Sequence, residues 1–300
     1  LHGRFLRSPH PHARVVKVDA SNALKLAGVH SILTPFDVPD GRIAPDLPIL
    51  DKFVRFVGDE VAAVAAEDED IAHEALQLID VQYEVLPFVI DPEEALLPNA
   101  PHVHPEGNLV SGKPLVLTRG NVEEGLAIAD RVFEETFTTS AHSGVALEPR
   151  AAIACWEKDQ LTVWKTSRGI HADRATLALA LNIPEAKVRV IGPPLGAGYG
   201  NKDETRLATV AAILAKRADR PVKMEFTREE EFIAGRHRHG TTTKLKIGIK
   251  NDGTVTAIYA TTIMDTGAYL ASGPGVVRRA GQCVLYLYHC PNVRYDGYLT

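Results

Sequence analysis

The sequence predicts an α+β fold in two domains, a small α/β domain followed by a larger mixed one. Three observations predict it. Short runs rich in valine and isoleucine alternate with helical runs such as "EDEDIAHEALQLI" at 67–79. Residues 98–124 have no clean periodicity and are rich in proline, glycine and asparagine, which marks a linker. After residue 241 the pattern changes to long apolar/polar alternation about a tight turn, so strands and helices are not regularly interleaved. At 300 residues and 45% hydrophobic content, the chain can bury a core of this size.

Taken in order, Val15–Val18 reads as a strand and Asn22–Leu26 as a short helix. Val54–Val57 and Val61–Ala65 read as two further strands, separated by Gly58-Asp59. The 67–79 run is a helix: its acidic start complements the helix dipole, and Ile71, Ala75, Leu78 and Ile79 share a face. "VQYEVLP" closes this first domain, 1–97, as a strand ended by Pro87. The linker 98–124 leads to the second domain, 125–300. There "RVFEETFTTS" and "LTVWKTS" read as strands and "IHADRATLALAL" as a helix broken at Asn182 and Pro184. "KVRVI" is a strand running into a glycine-rich loop. Leu207, Val210, Ala211 and Leu214 then have helical spacing, and "PVKMEF" is a strand. "TREEEF" reads as a solvated helix start. "KLKIGIKNDGTVTAIYATTI" alternates on both sides of Asn251-Asp252-Gly253 and predicts a hairpin turning on Asp-Gly.

Composition removes several classes of function. Net charge is −5 with both signs interspersed, so no basic face argues for nucleic acid or an anionic membrane. No apolar run reaches the length of a membrane span, which predicts a soluble chain. The start, Leu1-His2-Gly3-Arg4-Phe5, carries neither an initiator methionine nor a secretory apolar region, and predicts a chain entered mid-sequence. Cys155, Cys283 and Cys290 form no Cys-x-x-Cys and cannot all pair; buried structural thiols in a reducing, cytoplasmic compartment are expected. The pairs His10/His12, His102/His104 and His237/His239 have no cysteine or acid at ligand spacing, so solvated histidines are expected and no metal site. Neither Ser143 nor Ser167 has the setting of a hydrolase nucleophile.

The loop "IGPPLGAGYGNKDETR", 191–206, carries the densest chemistry. A Walker loop requires Gly-Lys followed by a hydroxyl residue, but here Asn201 separates Gly200 from Lys202 and Asp203 stands at the hydroxyl position. The dinucleotide fingerprint also fails: Gly196-Ala197-Gly198-Tyr199-Gly200 is one residue short between its last two glycines, and the region about twenty residues on, "PVKMEF", has no acid suitably placed to end a second strand of that motif. Two readings remain. Glycines let backbone N–H groups approach an anionic or oxo group ahead of a helix, or they make a strand-to-helix turn with no ligand.

Several segments together resemble the molybdenum hydroxylase family, which includes xanthine dehydrogenase, aldehyde oxidoreductase, aerobic carbon monoxide dehydrogenase and 4-hydroxybenzoyl-CoA reductase. They are "GRFLRSPHPHARVVKVD", "VRFVGDEVAAVAAEDEDIAHEAL", "VQYEVLP", the run from "LTVWKTSRG" through "LGAGYGNKDE", and "RPVKMEFTREEEFIAGRHRHG" with its hairpin. The match follows the family's order over essentially the whole chain. It implies an α/β hammerhead domain and then the first part of a mixed α/β molybdopterin-binding domain.

The resemblance also implies a molybdenum–pterin cofactor, as molybdopterin or its cytosine dinucleotide form, with the metal held by the pterin and not by side chains. It implies oxidation of a small organic substrate with water-derived oxygen. Electrons would pass to 2Fe-2S clusters and FAD on partner subunits of an oligomer, completed by a C-terminal part of the molybdenum subunit. Carried over residue by residue, Gly196, Ala197, Gly198, Tyr199 and Gly200 are similar to the family's Gly-Gly-Gly-Phe-Gly cofactor loop. Tyr199 would line the substrate position. Asp203 stands where purine-oxidising members have a substrate-contacting Glu; Glu148 stands where related chains also carry a Glu, and is either an acid facing the cavity on the substrate side or a helix-end or salt-bridged acid. Ser167-Arg168 replaces the family's Thr-Gln pair beside the metal and brings a fixed positive charge, which implies an unusual site or an arginine facing an anionic group of the cofactor or the substrate. The family's catalytic Glu is expected beyond residue 300, so no catalytic base is assigned here. A non-catalytic binding or assembly module, or a split subunit, is the alternative.

Overall fold

The computed structural model describes all 300 residues, which divide into two compact units. The first comprises Leu1–Leu86 with Ser143–Arg236, and the second Pro87–His142 with His237–Thr300.

The first unit is built on a seven-stranded mixed sheet. Its spatial order is Val188–Ile191, Gln160–Lys165, Ala151–Glu157, Val222–Glu225, His2–Arg7, Glu60–Ala66 and Val29–Leu33. The seam between the N-terminal segment and residues 143–236 is a parallel pairing, with His2 beside Lys223 and Gly3 beside Met224. A Cβ on Gly3 would lie 2.6 Å from Met224 Cγ, so a larger residue would open this seam. Glu60–Ala66 is buried at every position, as a central strand covered on both faces requires. The helix Arg206–Ala218 is buried from residue 206 to 215; its Ala208, Ala211, Ala212 and Ala215 let it lie close on the sheet. Trp156 Nε1 donates to the Ala212 carbonyl at 2.8 Å and fixes that approach. Leu33, Ile49, Leu161, Leu177, Leu214 and Met224 form the centre of the core. A separate three-stranded sheet joins Phe53–Val54, Ala13–Asp19 and Asp80–Val85.

The second unit is a five-stranded sheet in the order Arg131–Thr139, Thr241–Ile249, Val255–Met264, Asn292–Leu299 and Leu115–Arg119. The helix Gly273–Leu287 packs on it around Val277, Tyr295 and Leu299. The expected hairpin is present: Gly253 takes φ 88° and donates to the Lys250 carbonyl at 2.9 Å.

Several expectations change. The strand expected over 54–57 ends at Val54, because the Arg55 amide donates to Asp59 Oδ2 at 3.0 Å and the chain turns into Gly58. The stretch 98–124 contains an edge strand, Leu115–Arg119, which has too little alternation to be read alone. Of the thiols, Cys290 is buried, Cys155 half-buried and Cys283 exposed, so the expectation of three buried thiols holds for one. The histidines are not uniformly solvated: His12 is buried and His10 sits edge-on to Tyr83 at 4.8 Å. His104 Nε2 and His239 Nδ1 lie 2.5 and 2.8 Å from the carbonyls of Ala268 and Asp265. No helix is long and apolar enough to cross a membrane.

Candidate cofactor loop and its clasps

The strand Val188–Ile191 ends at the sheet edge, and the glycine loop follows it. A short 3-10 turn, Asn201–Asp203, leads from the loop to the helix Arg206–Ala218. Tyr199 and Gly200 both take left-handed backbone, with φ 49° and 90°. Gly200 supplies that conformation without strain, whereas Tyr199 adopts it against its own preference.

Two neighbouring segments clasp the loop. On one side lie residues 144–148. Gly144 passes so close that its Cβ would sit 2.9 Å from Tyr199 Cβ. Glu148 Oε2 accepts the Gly196 amide in a short hydrogen bond, and Oε1 lies 3.0 Å from Lys202 Nζ. Partial burial would push the Glu148 carboxyl up, but the Lys202 ammonium and the Gly196 amide outweigh it and hold it below the usual range.

The second clasp is 165–168. Lys165 Nζ donates to the Lys202 carbonyl at 2.9 Å and is paired with Asp173 at 3.1 Å. Ser167 Oγ accepts the Gly169 amide at 2.9 Å. Arg168 Nε donates to Asp203 Oδ1 at 2.7 Å.

Behind the loop a buried ionic lattice holds the helix start. Arg206 Nη1 reaches Asp59 Oδ1 at 3.0 Å and also Glu60. Arg7 bridges Glu60 at 3.1 Å and Glu230 at 2.8 Å. Arg150 pairs with Glu231 at 3.3 Å, and the Phe226 ring lies between two guanidiniums, with Arg7 and Arg150 at 4.7 and 4.2 Å.

The sequence-predicted residues therefore fall in one place. Gly196, Ala197, Gly198, Tyr199 and Gly200 form one loop, Asp203 follows it, and Arg168 and Glu148 reach it from opposite clasps. Glu148, expected on the substrate side, has both oxygens engaged by the loop and its lysine. Sequence reasoning passed over Lys165, Asp173 and Arg206, and weighed Lys202 only as a Walker lysine. One signal was available: Arg206 begins a helix, where a cation opposes the dipole, so an acid elsewhere had to favour it.

The donor set suits an oxygen-rich group. The amides of Ala197, Gly198, Tyr199 and Gly200 donate to no acceptor within the protein. At Gly198 an added Cβ would meet only ordinary contacts, 3.8 Å or more, to the Lys202 side chain. No clash inside the protein requires glycine there, and without a side chain a bound group can come closer to the backbone.

Comparison with known proteins divides the chain along the sequence, unlike the two interleaved compact units. The family described as molybdopterin cofactor-binding domain matches residues 103–300. The aldehyde oxidase and xanthine dehydrogenase a/b hammerhead domain matches residues 1–87. A probable xanthine dehydrogenase subunit from Bacillus subtilis is 38% identical over 99% of this chain, which spans 40% of that protein. The nicotinate dehydrogenase large molybdopterin subunit of Eubacterium barkeri is 35% identical over 99% of the chain and 71% of its own length. Among solved structures, the aldehyde oxidoreductase of Desulfovibrio gigas superimposes with a TM-score of 0.92 at 25% identity, over the whole chain and 35% of its own.

Proposed function

The chain belongs to the aldehyde oxidase and xanthine dehydrogenase family of molybdenum hydroxylases, and on that premise we propose that residues 192–203 hold the molybdenum–pterin cofactor of such an oxidoreductase. The observation that carries this reading is the row of uncommitted amides at Ala197–Gly200 beside an uncrowded Gly198. The hammerhead and molybdopterin-binding domains are those of the family.

In this reading the cofactor supplies the two-electron chemistry at the substrate carbon. The chain's own residues bind and orient. The amides of Ala197, Gly198, Tyr199 and Gly200 would hold its oxygen-rich groups, and Arg168 stands beside Asp203 at the end of the same loop. Tyr199, 62% exposed, offers an aromatic face to the substrate. Asp203 carries the substrate-side carboxylate, turned toward Arg168. Glu148 and Lys202 act from beneath, fixing the loop at Gly196. Iron–sulfur and FAD subunits complete the electron path, and the remainder of the molybdenum subunit supplies the base. The three unpaired thiols support a cytoplasmic assembly.

Purification of the complex with its partner subunits, followed by metal analysis and fluorescence of the released, oxidised pterin, tests the reading. Molybdenum and pterin in near-equal amounts are expected. An intact complex holding neither would leave the non-catalytic module as the better account.

A further inference from the structure

Lys165 stands where the fold calls for an apolar residue. In the strand Gln160–Lys165 alternate side chains are buried, and those preceding it on that face are Leu161 and Val163. The lysine side chain is 5% exposed, as is that of its partner Asp173, in the first turn of the helix Ile170–Leu181. Asp173 has a local reason for its place, since an acid in the first turn complements the helix dipole. Lys165 has none. Burying a charged pair is costly, and an apolar pair of similar volume commonly leaves stability unchanged or raises it. Core stability therefore does not account for a lysine here.

What the lysine reaches is the end of the glycine loop. Its Nζ donates to Asp173 Oδ1 and Oδ2 at 3.2 and 3.1 Å and to the Lys202 carbonyl at 2.9 Å, which engages all three N–H groups. That carbonyl lies in the turn Asn201–Asp203, directly after Gly200. The Lys202 side chain pairs with Glu148, whose other oxygen accepts the Gly196 amide. Residue 202 is thus held at its side chain by Glu148 and at its main chain by Lys165. The two holds are not equivalent. A contact at the tip of a flexible four-carbon stem leaves the peptide plane free to turn, whereas a bond to the carbonyl fixes it. Lys165 is itself fixed, because its strand pairs with Ala151–Glu157, Lys165 opposite Ala152, and two carboxylate oxygens hold its ammonium. Tyr199, with φ 49°, needs such support: a side-chain-bearing residue keeps left-handed backbone only where its surroundings impose it.

We propose that Lys165 is a positioning residue: through the Lys202 carbonyl it sets the turn Asn201–Asp203, and with it the amides of Ala197–Gly200, in the geometry that receives the cofactor. Asp173 serves to keep the ammonium in place. The proposal rests on the cofactor reading for what the loop receives, but not for the geometry of the loop.

The test compares wild type, the double variant Lys165→Met/Asp173→Leu, and Asp173→Asn, each in the full complex with its partner subunits. Urea midpoints and molybdenum and pterin content are measured on each. Hydrogen exchange is followed at the Gly196 and Asn201 amides, which donate to Glu148 and to the Gly198 carbonyl. The double variant removes both buried charges together, so its midpoint should stay at or above that of wild type. Exchange at the two amides should nevertheless rise about tenfold, the effect of one lost hydrogen bond, and most of the molybdenum and pterin should be lost. Asp173→Asn should do the reverse. It leaves Lys165 on the Lys202 carbonyl, so the midpoint should fall while exchange and cofactor content keep their wild-type values. A merely structural pair would make exchange and cofactor content follow the midpoint in both variants, and that result overturns the proposal. So does wild-type exchange at both amides in the double variant. If the double variant does not fold, Asp173→Asn decides: loop protection and cofactor lost in step with its midpoint is the overturning result. Faster exchange in the double variant, in a complex whose wild type holds neither molybdenum nor pterin, would leave Lys165 its part in the loop and remove the cofactor reading instead.

Discussion

At Gly196 an added methyl would lie 2.3 Å from Glu148 Oε2, while at Gly198 the nearest atom is 3.8 Å away. Gly200 has nothing within 4 Å but takes φ +90°. One loop therefore contains a glycine required by a neighbour, one required by backbone conformation, and one that the protein itself does not require. This separates folding from binding at single-residue resolution. Gly196→Ala should displace the Glu148 carboxylate and lower the unfolding free energy by about 1–3 kcal/mol, as overpacking does. Gly198→Ala should change stability by about 0.5 kcal/mol or less, as at an uncrowded site, yet lower the molybdenum and pterin content of the purified complex. Urea unfolding beside metal analysis checks both, and a Gly198→Ala complex with full cofactor would remove the close-approach argument. The loop itself was legible in the sequence because three glycines stand within five residues. The pairing of its clasps was not: Glu148 and Lys202 are each visible in the sequence but meet only through the fold.

The helices repeat this contrast between local and distant causes. Arg206–Ala218 was readable from the spacing of its apolar residues, and so was the Asp-Gly hairpin. His2–Arg7 was not, since "HGRFLR" carries two arginines and a glycine and becomes a strand only between partners from residues 60–66 and 222–225. Gly273–Leu287 was hidden by its Gly-Pro-Gly start, which looks like a breaker but places proline in the first turn, where no amide is needed. The short helix Arg228–Ile233 is a further case. Its "TREEEF" run was expected to be solvated, yet Glu231 is 1% exposed and pairs with Arg150. Thr227 caps this helix, accepting the Glu230 amide at 3.1 Å while Glu230 Oε2 accepts the Thr227 amide at 2.8 Å. The same Glu230 receives Arg7, so the cap also sets one end of the buried lattice. Thr227→Ala should lower the unfolding free energy by about 1 kcal/mol, measured by denaturant titration. Thr227→Ser should recover most of it, and equal losses in both variants would show that the cap is not the cause.

Across the first unit, the N-terminal segment and residues 143–236 are one body, because they share a sheet and a buried ionic lattice. Asp59 and Glu60 come from the N-terminal segment, and Arg206, which they hold, is the first residue of the helix that carries the glycine loop. Burial would push the Glu60 carboxyl up, but the Arg206 and Arg7 guanidiniums more than reverse this and bring it down from 4.5 to about 2. A carboxyl whose folded pKa lies below its unfolded value binds its proton more readily in the unfolded chain. Its stabilisation is therefore complete above about pH 4.5 and is lost as pH falls from there toward about 2. Removing one member of the lattice should be costly near neutrality, on the order of 3–5 kcal/mol, because a buried arginine is left uncompensated. Glu60→Gln should thus be much less stable than wild type at about pH 7, and the gap should narrow as pH approaches about 2, where the folded wild-type carboxyl is half protonated. Urea midpoints of both proteins across this range would show it; a gap independent of pH would mean that Glu60 contributes by packing and not by charge. Hydrogen exchange at the loop amides adds a second measure. Exchange at the Gly196 and Asn201 amides, which donate to Glu148 and to the Gly198 carbonyl, should rise in Glu60→Gln at neutral pH, and unchanged exchange would mean that the clasps alone hold the loop.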